Sequence, residues 1–165
     1  MKRKGGVPPI VTVLVTIAAI VAAALVAYFI YTSTAAATKQ PVIDVSPLYV
    51  TGGTPATTSS GPGVSCGGSN PACRLSITIR NVGSVTLSNV AVWVWLPGAT
   101  SALQFSPATG GTTLATLGPG QSATFGYTET GTRTIPDGQG VTVEVRYTSG
   151  GTTYVITLAT KTAVP

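Results

Sequence analysis

Histidine is absent from this 165-residue chain, and acidic side chains number only four: Asp44, Glu129, Asp137 and Glu144. Without imidazole no side chain titrates ordinarily near neutrality for general acid–base work, and the two cysteines have no histidine with which to complete a zinc site. The carboxylates are spread from position 44 to position 144, and Asp137 falls in an Asp-Gly turn pair. No carboxylate pair or metal cage is legible in that spacing. Serine and threonine abound, but none has an evident activating base. The glycine-rich stretches lack both a phosphate-loop lysine and a strand-to-helix dinucleotide context. The chain therefore reads as non-enzymatic, with no cofactor and no metal. Charge is scarce as well, at 8% of residues. The net charge is +5, but Lys2, Arg3 and Lys4 carry three of the nine basic groups, leaving six against four acidic. Arg74, Arg80, Arg133 and Arg146 are scattered with no interleaved aromatic platform, so nucleic acid is not an expected partner. None of Asn70, Asn81 and Asn89 has Ser or Thr two residues on, which disfavours N-linked glycosylation.

What the chain does have is an apolar run, Val7 to Tyr31, inside a charge-free span from Gly5 to Thr38. A membrane-spanning helix needs about 20 such residues. Thr12 and Thr16 are the only polar side chains before Tyr28, and a hydroxyl there can bond back to the preceding turn. Pro8 and Pro9 suit a helix start and Pro41 prevents continuation, so a helix over about 7–38 is predicted, roughly 45 Å long. Ala18, Ala19, Ala22, Ala23, Ala24 and Ala27 leave shallow places where neighbouring helices can approach. An assembly face of Ile10, Leu14, Ile17, Ala18, Val21, Ala24, Leu25 and Tyr28 follows from helical spacing. Tyr28, Phe29 and Tyr31 would mark the outer membrane interface. The basic end holds Lys2–Lys4 inside and sends the C-terminal part out. A cleaved secretory signal has a shorter apolar core, with its small-residue site after it. Here the small pair, Gly5-Gly6, comes before the run.

That inverted order resembles the class III signal peptide of archaeal type IV pilins. The resemblance implies cleavage by a prepilin peptidase after Gly6, with Gly5 the less favoured site, and Val7 as the new N-terminus. Residues 1–6 are then a leader and the helix stays on the mature protein. The resemblance further implies a membrane precursor, an assembly ATPase and platform protein, and identical subunits as filament partners. Bacterial relatives carry glutamate at the fifth mature position, where this chain has Val11; archaeal ones commonly do without it. The implied function is a structural pilus subunit displayed outside the cell for adhesion or cell contact. A monomeric membrane-anchored surface domain that binds a ligand, and an archaellum subunit, remain alternatives.

After a joint at 39–41, residues 42–165 read as one extracellular β-domain, giving α+β overall: a long helix, then an antiparallel immunoglobulin-like sandwich of about seven or eight strands. Strict alternation places Leu75, Ile77 and Ile79 on one face, and Val90, Val92, Val94 and Leu96 on another. Further strands are predicted near 42–45, 48–50, 103–105, 113–117, 122–128, 141–148 and 152–160, the last two as a hairpin. The phrases Ile79–Ser84 and Leu117–Ser122 resemble immunoglobulin-like domains of archaeal surface proteins. Thr51–Ser65, rich in Gly and Pro, reads as a surface loop. Cys66 and Cys73 are expected to form a disulfide in an outward-facing domain, with free thiols the alternative. Trp93 and Trp95 share the outer side of their strand, to meet the helix or a neighbouring subunit, or else a covering layer of their own domain. The many Ser and Thr residues fit strand propensity and also offer sites for O-linked sugar.

Overall fold

The computed structural model describes residues 8–37 and 41–165. The chain divides into two units, Met1–Gln40 and Pro41–Pro165.

In the first unit, helix α1 runs from Pro9 to Ala37. Pro8 precedes it, and its carbonyl accepts the first bond, from Val11 N at 2.9 Å. Pro9 fills the first helical position, where its missing N–H costs nothing. Over 29 residues the helix spans about 43 Å.

The second unit is built from twelve strands: β1 Ile43–Val45, β2 Leu48–Gly52, β3 Thr54–Thr58, β4 Gly61–Cys66, β5 Cys73–Asn81 and β6 Leu87–Trp95, then β7 Leu103–Pro107, β8 Leu114–Leu117, β9 Ser122–Glu129, β10 Arg133–Pro136, β11 Gly140–Ser149 and β12 Thr152–Ala163. The architecture corrects the expected open sandwich. Strand β5 pairs with β2 on one side and with β9 on the other. From β2 the ladder passes through β12, β11, β6 and β7 and returns to β9. Seven strands thus close a barrel. Strand β1 extends β5 and β8 extends β6, while β10, β4 and β3 form a separate small sheet. Closure rests on two short links. One is a parallel pairing of Thr162 and Ala163 with Leu48 and Tyr49; the other pairs Ser106 and Pro107 with Gly126 and Phe125. Alternation along single strands is the same in a sandwich and a barrel, so these few non-local pairs decide between them.

The barrel is filled by the inward row of each strand. Leu75, Ile77 and Ile79 on β5, Val90, Val92 and Val94 on β6, and Val143 and Val145 on β11 are fully buried, with Phe105 and Phe125 between them. Leu87 is also buried although it is out of phase with Val90. The reason is a bulge: Ser88 pairs with Thr148 and Ala91 with Arg146, so β6 carries one residue more than β11 between those pairs. Asn89 takes up the extra length with φ of 51°, a left-handed conformation that asparagine tolerates better than most residues.

The span read as a loop, Thr51–Ser65, contains most of the small sheet. Strands β3 and β4 pair from Thr54 with Ser65 to Thr58 with Gly61, and β10 joins the other side of β4. Pro55 lies on the edge strand and Pro62 near the start of β4, where a missing N–H is tolerated. The glycines permit close approach. A Cβ at Gly53 would sit 2.6 Å from Sγ of Cys73 and also clash with the Val64 side chain, and Gly53 has φ of 75°.

Candidate functional site

The residues singled out in the sequence do not converge on a pocket. Gly5, Gly6 and Val7, with the leader charges Lys2, Arg3 and Lys4, lie outside the described residues. Ile10, Leu14, Ile17, Ala18, Val21, Ala24, Leu25 and Tyr28 all stand on α1, and all are exposed. Nothing in the helix distinguishes that face. Val13, Val15, Ile20, Val26 and Ile30, pointing elsewhere, are equally apolar and equally open. Several hydroxyls bond back within the helix: Thr16 Oγ1 donates to the Thr12 carbonyl at 2.8 Å, and Ser33 Oγ to the Phe29 carbonyl at 2.8 Å. Thr32 bonds back in the same way to the carbonyls of Tyr28 and Phe29. Each such bond lowers the polar cost of placing the segment in an apolar medium. By length and composition, Pro9–Thr34 suffices to cross a membrane.

Cys66 and Cys73 are bonded, with Cα atoms 5.2 Å apart. The bridge ties β4 of the small sheet to β5 of the barrel. Both sulfur-bearing residues are fully buried. Beside them Glu129 pairs with Cys73 and Arg133 with Cys66 across the strands. The Glu129 carboxylate lies 3.5 Å from Arg133 Nε and accepts from Gly131 N at 2.9 Å. This cluster fixes the β9–β10 corner against the disulfide.

Trp93 and Trp95 do share the outer side of β6. The Arg146 guanidinium of β11 lies over the Trp93 ring at 4.4 Å from its centroid, and Arg146 Nε donates to the Glu144 carboxylate. Such a stacked cation contributes about 0.5–1 kcal/mol at an exposed site. The cover on Trp93 therefore includes a side chain from the neighbouring strand of its own domain. Trp95, at the end of β6, is 41% exposed.

Several structural centres were not legible in the sequence. Asn81 is fully buried; its Nδ2 donates to the carbonyls of Val85 at 2.7 Å and Leu117 at 3.0 Å, and its Oδ1 accepts from Gly83 N at 3.1 Å. Its backbone joins in, accepting from Gly120 N at 2.7 Å and donating to the Gln121 carbonyl at 2.9 Å. The motif Asn81-Val82-Gly83-Ser84 signals a turn but not this second partner region. Thr162 is likewise buried and links the carbonyl of Pro136 to the turn at Gln139. Tyr147 stacks on Tyr154 of β12, ring centroids 5.5 Å apart. Burial, and secondarily the Tyr154 phenol, raises the Tyr147 pKa above the ordinary tyrosine value.

A surface groove of about 710 Å³ is lined by Pro55, Ala56, Thr57, Val64, Asp137 and Val164 among others. Asp137 is its single ionisable side chain. Among the described residues no three of His, Cys, Asp and Glu come together as a metal site.

No family model and no curated protein matches the sequence. Three solved structures are distantly similar. The Northeast Structural Genomics Consortium target SoR45 has a TM-score of 0.40 at 14% identity, over 78% of this chain and 89% of that one. The GAE domain of GGA2p from Saccharomyces cerevisiae scores 0.34 at 17% identity, over 66% of this chain and 95% of that one. The beta-D-glucoside glucohydrolase of Trichoderma reesei scores 0.30 at 19% identity, over 74% of this chain but 19% of that one. Similarity this distant carries no argument about fold or function. What the chain itself establishes is an N-terminal apolar helix of membrane-spanning length, followed by a disulfide-bonded β-barrel domain.

Proposed function

We propose that this chain is a structural filament subunit of the archaeal type IV pilin kind, held in the membrane by α1 before assembly and by the same helix in the filament core afterwards. The observation that carries the reading is the helix itself, apolar on every face and uncharged from end to end. A surface helix of a globular protein keeps a polar side, and one apolar all round is buried in a large core or a membrane. This helix is apolar all round and its own chain does not bury it. In lipid it is at home. In a bundle outside the membrane each Val, Leu or Ile side chain taken from water contributes about 1.5–3 kcal/mol. The Gly5-Gly6 pair and Lys2–Lys4 before the helix supply the reason to favour a processed filament subunit over a permanent anchor. On this reading the barrel forms the outer wall, the disulfide holds its small sheet in an oxidising exterior, and the hydroxyl-rich surface offers sites for O-linked sugar.

The test is N-terminal sequencing of protein sheared from the surface of its native cells, with electron microscopy of the same fraction. A start at Val7 or Gly6 in material that forms thin filaments is the expected result. A start at Met1, in protein found only in membranes, leaves a tethered surface domain instead.

A further inference from the structure

Strand β12 is paired along one edge and open along the other. Its ladder with β11 runs through ten residue pairs from Ser149 with Thr152 to Gly140 with Lys161. On its other side β12 meets β2 only at Thr162 and Ala163. The two strands are joined by Gly150-Gly151, both at positive φ, a two-residue hairpin turn whose flanking pair Ser149–Thr152 is hydrogen-bonded. Counting in twos from there, Tyr154, Ile156, Leu158 and Thr160 bond to β11. Thr153, Val155, Thr157 and Ala159 therefore direct their N–H and C=O groups to the open edge. Among the described residues no strand answers them.

The side chains agree. Tyr147, Val145 and Val143 on β11 are at most 2% exposed, yet their cross-strand neighbours Tyr154, Ile156 and Leu158 are only partly covered, Tyr154 remaining 42% exposed. The apolar interior comes to the surface along this seam. Natural edges are blunted by lysine, proline or a bulge. From Thr152 to Thr160, TTYVITLAT, this edge has none of these.

We infer that the open edge of β12 pairs antiparallel with β12 of a second copy of the chain. A register centred on Ile156 is self-complementary. It sets Val155 against Thr157, Thr153 against Ala159 and Tyr154 against Leu158, extends the apolar row across both copies, and leaves Lys161 opposite Gly151. No charge opposes its like. The geometry of the edge stands on the barrel alone; its consequence for filaments rests on the pilin reading. Neighbours along one helical filament meet through heterologous contacts, whereas this contact is two-fold and closes on itself. It therefore joins subunits of two filaments side by side, and the edge is a lateral bundling device.

The test uses the full-length chain, both in native filaments and solubilised in detergent. Two copies of Ile156→Cys would face each other as a non-hydrogen-bonded pair, with Cα atoms about 4.5 Å apart, within disulfide reach. Oxidation is expected to give a covalent dimer on a non-reducing gel, with Lys161→Cys giving at least tenfold less. Val155→Lys with Thr157→Lys, both at exposed positions, places lysine opposite lysine and is expected to reduce the Ile156→Cys dimer at least tenfold and to leave filaments single in electron micrographs. Single wild-type filaments with Ile156→Cys remaining monomeric would overturn the inference and leave the filament reading intact. A specific Ile156→Cys dimer in detergent, from a chain that never forms filaments, would uphold the pairing and remove the filament reading. Equal crosslinking at positions 156 and 161 would mean random collision and overturn the register.

Discussion

Asn81 has no surface of its own, yet it holds three segments together through its side-chain amide and its own backbone N–H and C=O. Its side chain closes the Val82–Val85 turn and reaches the end of β8 at Leu117. Alanine there takes the amide away from the carbonyls of Val85 and Leu117, while Gly83 N–H keeps the Val42 carbonyl at 3.1 Å, so Asn81→Ala is expected to lower stability by about 2 kcal/mol or more, measured by urea unfolding of the full chain in detergent. Asn89 needs a different argument, since backbone conformation decides it. At φ of 51° a β-branched side chain is disfavoured, so Asn89→Val should cost about 1–2 kcal/mol while Asn89→Gly stays near neutral. Tyr147 gives a pH dependence. Its pKa is raised in the folded state, so above about pH 10 the unfolded chain releases this proton first. Stability from this group is therefore complete below the unfolded value and falls as pH rises through the folded one. Alkaline unfolding followed by circular dichroism should show that slope, and Tyr147→Phe should remove it.

At the scale of elements, legibility followed pattern. Strands with strict alternation, β5, β6 and β11, announce themselves because one row is buried and the other is not. Helix α1 is as plain, since a long uncharged run bounded by Pro8-Pro9 and Pro41 has few alternatives. Strands β3, β4 and β10 were hidden. Their residues, TPATT, GPGVSC and RTIP, carry Pro and Gly where strand propensity wants branched side chains. They are strands because the chain is pinned at their ends by the disulfide and by close backbone approach. Gly53 makes this testable. Its positive φ and its contact with the bridge mean that Gly53→Ala must both strain the backbone and displace Cys73 Sγ, at a cost of about 2–4 kcal/mol. The expected signature is a lower unfolding midpoint together with faster reduction of Cys66–Cys73 by dithiothreitol than in the unsubstituted chain.

For the whole molecule, the part that decides function and the part that decides fold were legible to different degrees. Barrel closure depends on pairs such as Thr162–Leu48 and Ser106–Gly126, over a hundred residues apart in the first case, and no local signal encodes them. The apolar helix is local, but its even surface leaves lipid and neighbouring helices as equally apolar surroundings. Size separates them. Ala18, Ala22 and Ala24 are neutral in lipid when enlarged, because a longer apolar side chain only adds surface that tails accommodate. Between closely approaching helices the same enlargement meets another backbone. Ala18→Phe and Ala22→Phe are thus expected to leave the amount of protein in the membrane fraction unchanged while cutting the yield of sheared filaments at least tenfold. A permanent anchor predicts no such split: both variants would behave as the parent in every fraction. Leucine at the same positions grades the effect, since its smaller bulk should lower filament yield less than phenylalanine does, with membrane content again constant. That ordering would tie assembly to helix approach, which is the step that turns a membrane segment into a filament core.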